Sequence, residues 1–187
     1  MSTLAVNAIT TQTGSDIVVA PGKNLLAHGN TINIYEATKT DVQSMTGFTF
    51  VDITGLSITL TPVSASSKFL IHYHVVASGD YYKTYINLLR NGTLLGANAD
   101  GAGDSRYRGT STHATDQTQS NSHGIVHNHN ITFLDSPATT GSITYKLQGA
   151  GRVTGYIQHI NRSVPDRAQT EYDDRTISRM IIQEIAG

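Results

Sequence analysis

Eight histidines are the residues best equipped for chemistry in this chain of 187 residues. His72-x-His74 and His127-x-His129 each set two imidazoles on one face of an extended segment, because side-chain direction repeats every second residue of a strand. Two neighbouring neutral imidazoles are a start towards a transition-metal site. A strand-borne catalytic metal centre of the cupin type adds a glutamate three or four residues further on. Here Val75-Val76-Ala77-Ser78 follows one pair and Asn130-Ile131-Thr132-Phe133 the other, which disfavours that centre. A threefold axis is a second route: copies of His127 or His129 facing it would bring imidazoles from three chains to one ion. Against both stands the plain reading that these histidines lie on strand surfaces or subunit contacts, where they titrate near neutral pH.

The remaining candidates are weaker. Asp80, Asp100, Asp104, Asp116, Asp135, Asp173 and Asp174 could contribute to a general acid–base carboxylate pair. The adjacent Asp173 and Asp174 point to opposite sides if extended. Asp100-Gly101-Ala102-Gly103-Asp104 offers oxygens to Ca²⁺ but lacks the full spacing of a calcium loop, and reads as a Gly-Asp turn. There is no G-x-S-x-G elbow, phosphate-binding loop or dinucleotide fingerprint. With no cysteine there is no thiolate nucleophile, thiolate zinc site or disulfide. Asn161-Arg162-Ser163 fits a glycosylation sequence, which has meaning only on a secretory route. The expectation is a non-enzymatic protein without a cofactor.

Composition narrows the partners. Charged residues are 14% of the chain, against roughly a quarter in ordinary soluble domains. Lys plus Arg is 13 and Asp plus Glu 14, a formal net charge of -1 with no basic run, so no electrostatic footprint for nucleic acid is present. No apolar run reaches the roughly 18 residues of a membrane span, and the start Met1-Ser2-Thr3-Leu4-Ala5-Val6 does not read as a signal peptide. Low charge with frequent Thr and Gly describes a β-rich protein with surface to hide from water.

The elements that must carry these groups are strands. Residues 1–30 hold Leu4, Val6, Ile9, Ile17, Val19 and Leu25 among Asn, Thr, Gln and Gly, too few apolar residues for a core and too apolar for a solvated tail. This segment is expected to be an arm packed on another protein or on copies of itself. Residues 31–187 read as a head of short strands. Leu56, Ile58 and Leu60 alternate strictly with Ser57, Thr59 and Thr61. Further strands are expected over 68–76, 81–90, 123–134, 143–148, 155–160 and 176–185. Asn91-Gly92 between two apolar runs is the strongest hairpin signal in the chain. Residues 97–121 read as one long polar loop and 162–175 as a charged one. No segment reads as a helix. The pattern predicts an all-β sandwich or jelly roll. Nine tyrosines suit interfaces, and Tyr73, Tyr81, Tyr82 and Tyr85 around one strand pair are the trimer-interface candidates.

Several motifs, in order, resemble a family. Thr54-Gly55-Leu56-Ser57-Ile58-Thr59-Leu60-Thr61-Pro62 followed by Ser64-Ala65-Ser66-Ser67-Lys68-Phe69-Leu70-Ile71 is similar to a signature of bacteriophage tail-fibre-like and virion structural proteins, marine and cyanobacterial ones especially. Arg90-Asn91-Gly92-Thr93, Phe133-Leu134-Asp135-Ser136-Pro137, Thr144-Tyr145, Asn161-Arg162-Ser163 and the closing Ile177-Ser178-Arg179-Met180 extend the resemblance over nearly the whole chain. The N-terminal residues 1–9 resemble the virion-attachment start of the same proteins. The resemblance implies a jelly-roll head similar to C1q and tumour-necrosis-factor domains, usually trimeric, without catalysis. It implies a virion location, after synthesis in the bacterial cytoplasm, and partners among other phage virion proteins such as capsid, tail or adaptor. Two roles follow. One is a homotrimeric fibre or spike whose loops bind a host-surface glycan or protein, with Arg106, Tyr107, Arg108, Tyr172 and Arg175 as candidate contacts. The other is a capsid decoration or cement protein. A soluble sugar-binding module is the reading from outside this class.

Overall fold

The computed structural model describes residues 27–79, 83–96, 109–114, 125–170 and 173–187. Among them no helix occurs. The strands are β1 (Thr31–Lys39), β2 (Gln43–Thr46), β3 (Val51–Leu60), β4 (Lys68–Gly79), β5 (Lys83–Arg90), β6 (Thr93–Leu94), β7 (Ser111–Ala114), β8 (His127–Asp135), β9 (Ile143–Gly151), β10 (Ile157–Ile160) and β11 (Ser178–Ile185). The expected arm, 1–30, lies almost wholly outside the described residues, including Leu4, Val6, Ile9, Ile17, Val19 and Leu25.

All the strand pairings are antiparallel. One sheet runs β1-β11-β4-β10-β2, with β8 also on β4. Phe69 to His74 pair with β11 and with β8, so these two strands flank β4 on opposite edges. The other sheet runs β3-β9-β5-β6, with β7 also on β5. β6 pairs with Leu89 and Arg90, and β7 pairs with Lys83 to Ile86 in the same direction. They are two halves of one edge strand, interrupted between Gly96 and Gly109. Setting aside the accessory β2 and β10, the sandwich is β1-β11-β4-β8 against β3-β9-β5-β7. First lies beside eighth, then third, then sixth; second beside seventh, then fourth, then fifth. That is the strand order of a jelly roll.

The core follows from strand periodicity. Leu56, Ile58 and Leu60 point inward while Ser57 and Thr59 point out. Ile53 breaks the alternation because the ladder to β9 shifts between Asp52 and Ser57, around Gly55 at φ 89°. The extra residues reset the phase, so Ile53 and Leu56 both face in. Phe69, Ile71, Tyr73 and Val75 of β4 meet Ile86, Leu88, Tyr145 and Leu147 from the other sheet. The Phe69 and Tyr145 ring centroids are 5.9 Å apart. Each such buried side chain contributes roughly 1.5–3 kcal/mol. The Asn91-Gly92 hairpin forms as expected, with positive φ at both residues (47° and 82°) and Leu89 opposite Leu94.

The long polar loop is corrected. Ser111–Ala114 within it is a strand, paired with β5, while 97–108 and 115–124 lie outside the described residues.

The head has two distinct ends. At one, the chain comes in at Ala27 beside its C-terminal residues: the Gly29 amide donates to the Ala186 carbonyl (2.7 Å) and the Ala186 amide to that of Asn30 (2.8 Å). The 61–67 turn, the 91–92 hairpin and the 136–142 connection share this end, because Lys68 pairs with Ile185 and Phe69 with Asp135. The opposite end carries the 47–50 turn, the 152–156 connection and the 161–177 loop, near Gly79 opposite Gln158.

Candidate functional site

Chemistry-bearing side chains gather in three places. The first is the seam where the edge strands β7 and β8 meet. His127, His129, Ile131 and Phe133 share one face of β8, and that face points between the sheets. His113 of β7 stacks on His127 with ring centroids 3.5 Å apart, and lies edge-on to His129 at 6.4 Å. The Tyr73 hydroxyl donates to Ser111 Oγ (3.0 Å), which lies 3.2 Å from His129 Nδ1. The Nε2 atoms of His127 and His129 are buried and have no partner among the described residues. Burial, reinforced by His113, lowers both histidines to about 4, so both rings are neutral at pH 7. Burial pushes the Tyr73 hydroxyl up to about 12, which keeps it a proton donor throughout that range.

His129, 3% exposed, faces the interior of its own sandwich, which opposes the axial-metal expectation for that residue; His127 is half-buried at the seam, stacked on His113. Among the described residues no group of three or more His, Asp or Glu side chains is disposed to hold a metal ion. The outward pair is His72 and His74, which share their face of β4 with the half-buried Leu70. His72 Nδ1 lies 3.0 Å from Thr132 Oγ1, and His74 Nε2 lies 3.0 Å from Asn128 Oδ1. With Asn130, Arg179 and Ile181 they line a shallow hollow of about 310 Å³ on the outer sheet face.

Two serine–histidine contacts invite a catalytic reading, and their geometry opposes it. Arg162 Nη2 lies 3.0 Å from His159 Nε2, and a guanidinium can only donate. The His159 proton is therefore on Nδ1, pointed at Ser44 Oγ 2.9 Å away, so this ring cannot take the serine proton. At the seam, Ser111 Oγ accepts from Tyr73, and His129 has no carboxylate bonded behind it among the described residues.

The second place is the 162–175 loop. Arg162 and Arg175 both pair with Asp166, and Arg167 pairs with Asp173 at 3.3 Å. The Arg175 guanidinium beside Asp166 holds that carboxyl below its ordinary range. Asp166, Gln169, Thr170, Asp173 and Arg175 line a hollow of about 290 Å³. Arg175, an expected contact residue, is thus part of an internal ion-pair network. Arg106, Tyr107, Arg108 and Tyr172 lie outside the described residues, as do Tyr81 and Tyr82. Tyr73 and Tyr85 are corrected as interface candidates. Tyr73 faces the core and is 3% exposed, and Tyr85 is 4% exposed within the single chain, where Gly109 crosses its ring. Neither ring has surface left for a partner.

The third place gathers the sequence motifs, and their role is structural. Arg90 Nη1 donates to both carboxylate oxygens of Asp135 (2.8 and 2.7 Å), and the Tyr145 hydroxyl donates to Asp135 Oδ2 (2.6 Å). Three motifs scattered along the chain thereby close one buried network, and burial together with Asp135 raises the Tyr145 hydroxyl strongly. Asn161, fully buried at φ 63°, donates from Nδ2 to the carbonyls of Lys39 (2.9 Å) and Asp41 (3.0 Å). Its Oδ1 accepts from Ser178 Oγ (2.6 Å), which in turn accepts from the Val76 amide. Glu184, also buried, accepts from the Val63 amide (2.7 Å) and from Asn33 Nδ2 (2.9 Å), fastening the Ser-rich turn to β11 and β1.

No protein-family model matches the sequence, and no curated protein matches it. Among solved structures the chain is similar to the infectious bursal disease virus Gx strain structure (13% identity, TM-score 0.42, 92% of this chain and 38% of that one). It is likewise similar to the VP2 subviral particle of that virus (13% identity, TM-score 0.43, 92% of this chain and 37% of that one). A third, the T13 particle of the same virus, aligns at 11% identity and TM-score 0.38 over 92% of this chain and 40% of that one. The chain thus spans about two fifths of the length of these capsid-particle chains.

Proposed function

We propose that this chain is a non-enzymatic virion structural protein of a bacteriophage, a homotrimeric fibre or spike whose arm (residues 1–30) attaches to the particle. Its jelly-roll head displays loops for host-surface binding. The observation that carries this reading is the two-ended head. The chain comes in at Ala27 beside Ala186, while the 161–177 loop, the 152–156 connection and the 47–50 turn stand at the far end. An arm docked at the first end leaves the second free to meet a host. The order and spacing of the sequence motifs support the phage assignment, and those motifs maintain the head.

Homotrimerisation has its own support. Ile34 and Leu134, 66% and 53% exposed, stand on the outer face of the β1-β11-β4-β8 sheet, with the half-buried Gln183 and Leu70 between them in the same row. Copies of the same chain would cover that face. The test is incorporation: particles grown with a chain lacking residues 1–26 should lack the protein, while native mass spectrometry of the full chain gives three copies. A truncated chain that still enters particles, or a monomeric full chain, contradicts the proposal.

A further inference from the structure

We propose that the corner formed by the 47–50 turn and the approach to β10 is a binding patch for a neutral saccharide. Four apolar side chains are exposed there: Phe48 (45%), Tyr156 (37%), Ile157 (37%) and Val51 (36%). They come from two turns tied to each other. The Gly47 amide donates to the Tyr156 carbonyl (3.4 Å), the Gly151 amide donates to the Gly47 carbonyl (2.9 Å), and Ile157 lies opposite Thr46. Gly47 has φ 74°, a left-handed conformation that glycine adopts without strain, and it lies against Thr154 of the facing turn. The rings are therefore held on a fixed backbone, and little order remains to be created on binding.

Beside Val51 the patch continues into a polar network with both hydrogen-bonding senses. Asp52 accepts from Lys146 Nζ (2.8 Å) and Gln148 Nε2 (2.7 Å). Gln43 donates from Nε2 to the Asp52 carbonyl (2.8 Å) and accepts from the Thr54 amide (2.9 Å). Asp52 and Lys146 cancel in charge, and their side chains are 55% and 28% exposed. A sugar ring has this pair of surfaces: an apolar C–H face for an aromatic ring, and an edge of hydroxyls that donate and accept. The balanced charge matches a neutral sugar over an acidic one. Size argues the same way. Aromatic side chains carry roughly 150–250 Å² each, so Phe48 and Tyr156 expose on the order of 150 Å², and with the smaller Ile157 and Val51 the apolar patch is on the order of 300 Å². That suits one or two sugar units and falls well short of the roughly 800 Å² each protein partner buries.

The inference rests on the proposed function only in taking this end to face outward. The experiment uses the full chain on an array of neutral and acidic oligosaccharides, followed by titration of a retained neutral sugar. Phe48→Ala and Tyr156→Ala should each weaken binding at least about tenfold. Tyr156→Phe and Arg175→Ala should leave it within about twofold. Thermal melts show whether each variant is folded, and particle incorporation should equal that of the unaltered chain. Retention of acidic sugars alone, retention of none, or unchanged affinity in both alanine variants would overturn the inference. So would a fall in native mass in those variants, because a second copy would then occupy the patch. Failure of the sugar arms with incorporation intact refutes the patch and leaves the virion reading standing.

Discussion

Mild acid should loosen the β7–β8 seam, and the size of the effect can be worked out. His129 is 3% exposed, and burial lowers its pKa from 6.5 to about 4. Unfolded, the same imidazole takes up a proton near 6.5; folded, it refuses one until about pH 4. Between those values the unfolded chain binds more protons, so stability rises with pH there. The contribution is fully present above about 6.5 and is lost as the pH falls towards 4, with no further loss from this group below that. The gap corresponds to about 3 kcal/mol, a large fraction of the roughly 5–15 kcal/mol that holds a domain folded. His127 acts in the same direction by a smaller amount, because it is only half-buried and shares its surroundings with His113. Urea unfolding followed by tyrosine fluorescence at a series of pH values reads this directly. The His129→Gln variant, which cannot titrate, isolates it: the stability difference between parent and variant should change by about 3 kcal/mol over this window. Parallel curves for the two proteins would refute the assignment of a buried neutral histidine.

Three further outcomes test the networks. Asp135→Asn removes the charge that Arg90 and the buried Tyr145 hydroxyl share, and should cost about 3–5 kcal/mol in equilibrium unfolding. Asn161→Ala strands the Lys39 and Asp41 carbonyls and Ser178 Oγ together, and should cost at least about 2 kcal/mol in the same measurement. Gly149→Ala places a Cβ 2.5 Å from Met45 Sδ, an overpacking expected to cost about 1–3 kcal/mol and to be relieved in part by adding Met45→Ala; a neutral single variant would show that Met45 is free to move aside.

Much of the fold is legible in the residues themselves. The alternation of Leu56, Ile58 and Leu60 and the Asn91-Gly92 turn both become what their chemistry requires. The orientation of the histidines was legible too, through a signal easily passed over. His127 and His129 share parity with Ile131 and Phe133, so all four face the core, whereas His72 and His74 are out of phase with Phe69, Ile71 and Val75. β7 escapes such reading because Ser111-Thr112-His113-Ala114 has no apolar alternation; an edge strand is defined by its partner, here β5. The network of Arg90, Asp135 and Tyr145 is equally invisible along the chain, since the topology alone brings the three together. Phe48 and Tyr156 look like ordinary strand-flanking aromatics until the Gly47–Tyr156 hydrogen bond sets their turns side by side.

The central claim is that the head stands on a particle with one end docked and the other displayed. An image reconstruction of the particle that carries the protein tests it most directly. Threefold density is expected for the head, with Ala27 and Ala186 towards the particle and the 161–177 loop, Phe48 and Tyr156 pointing away. A head seated with the 161–177 loop against the particle, or particles without the protein, would contradict it.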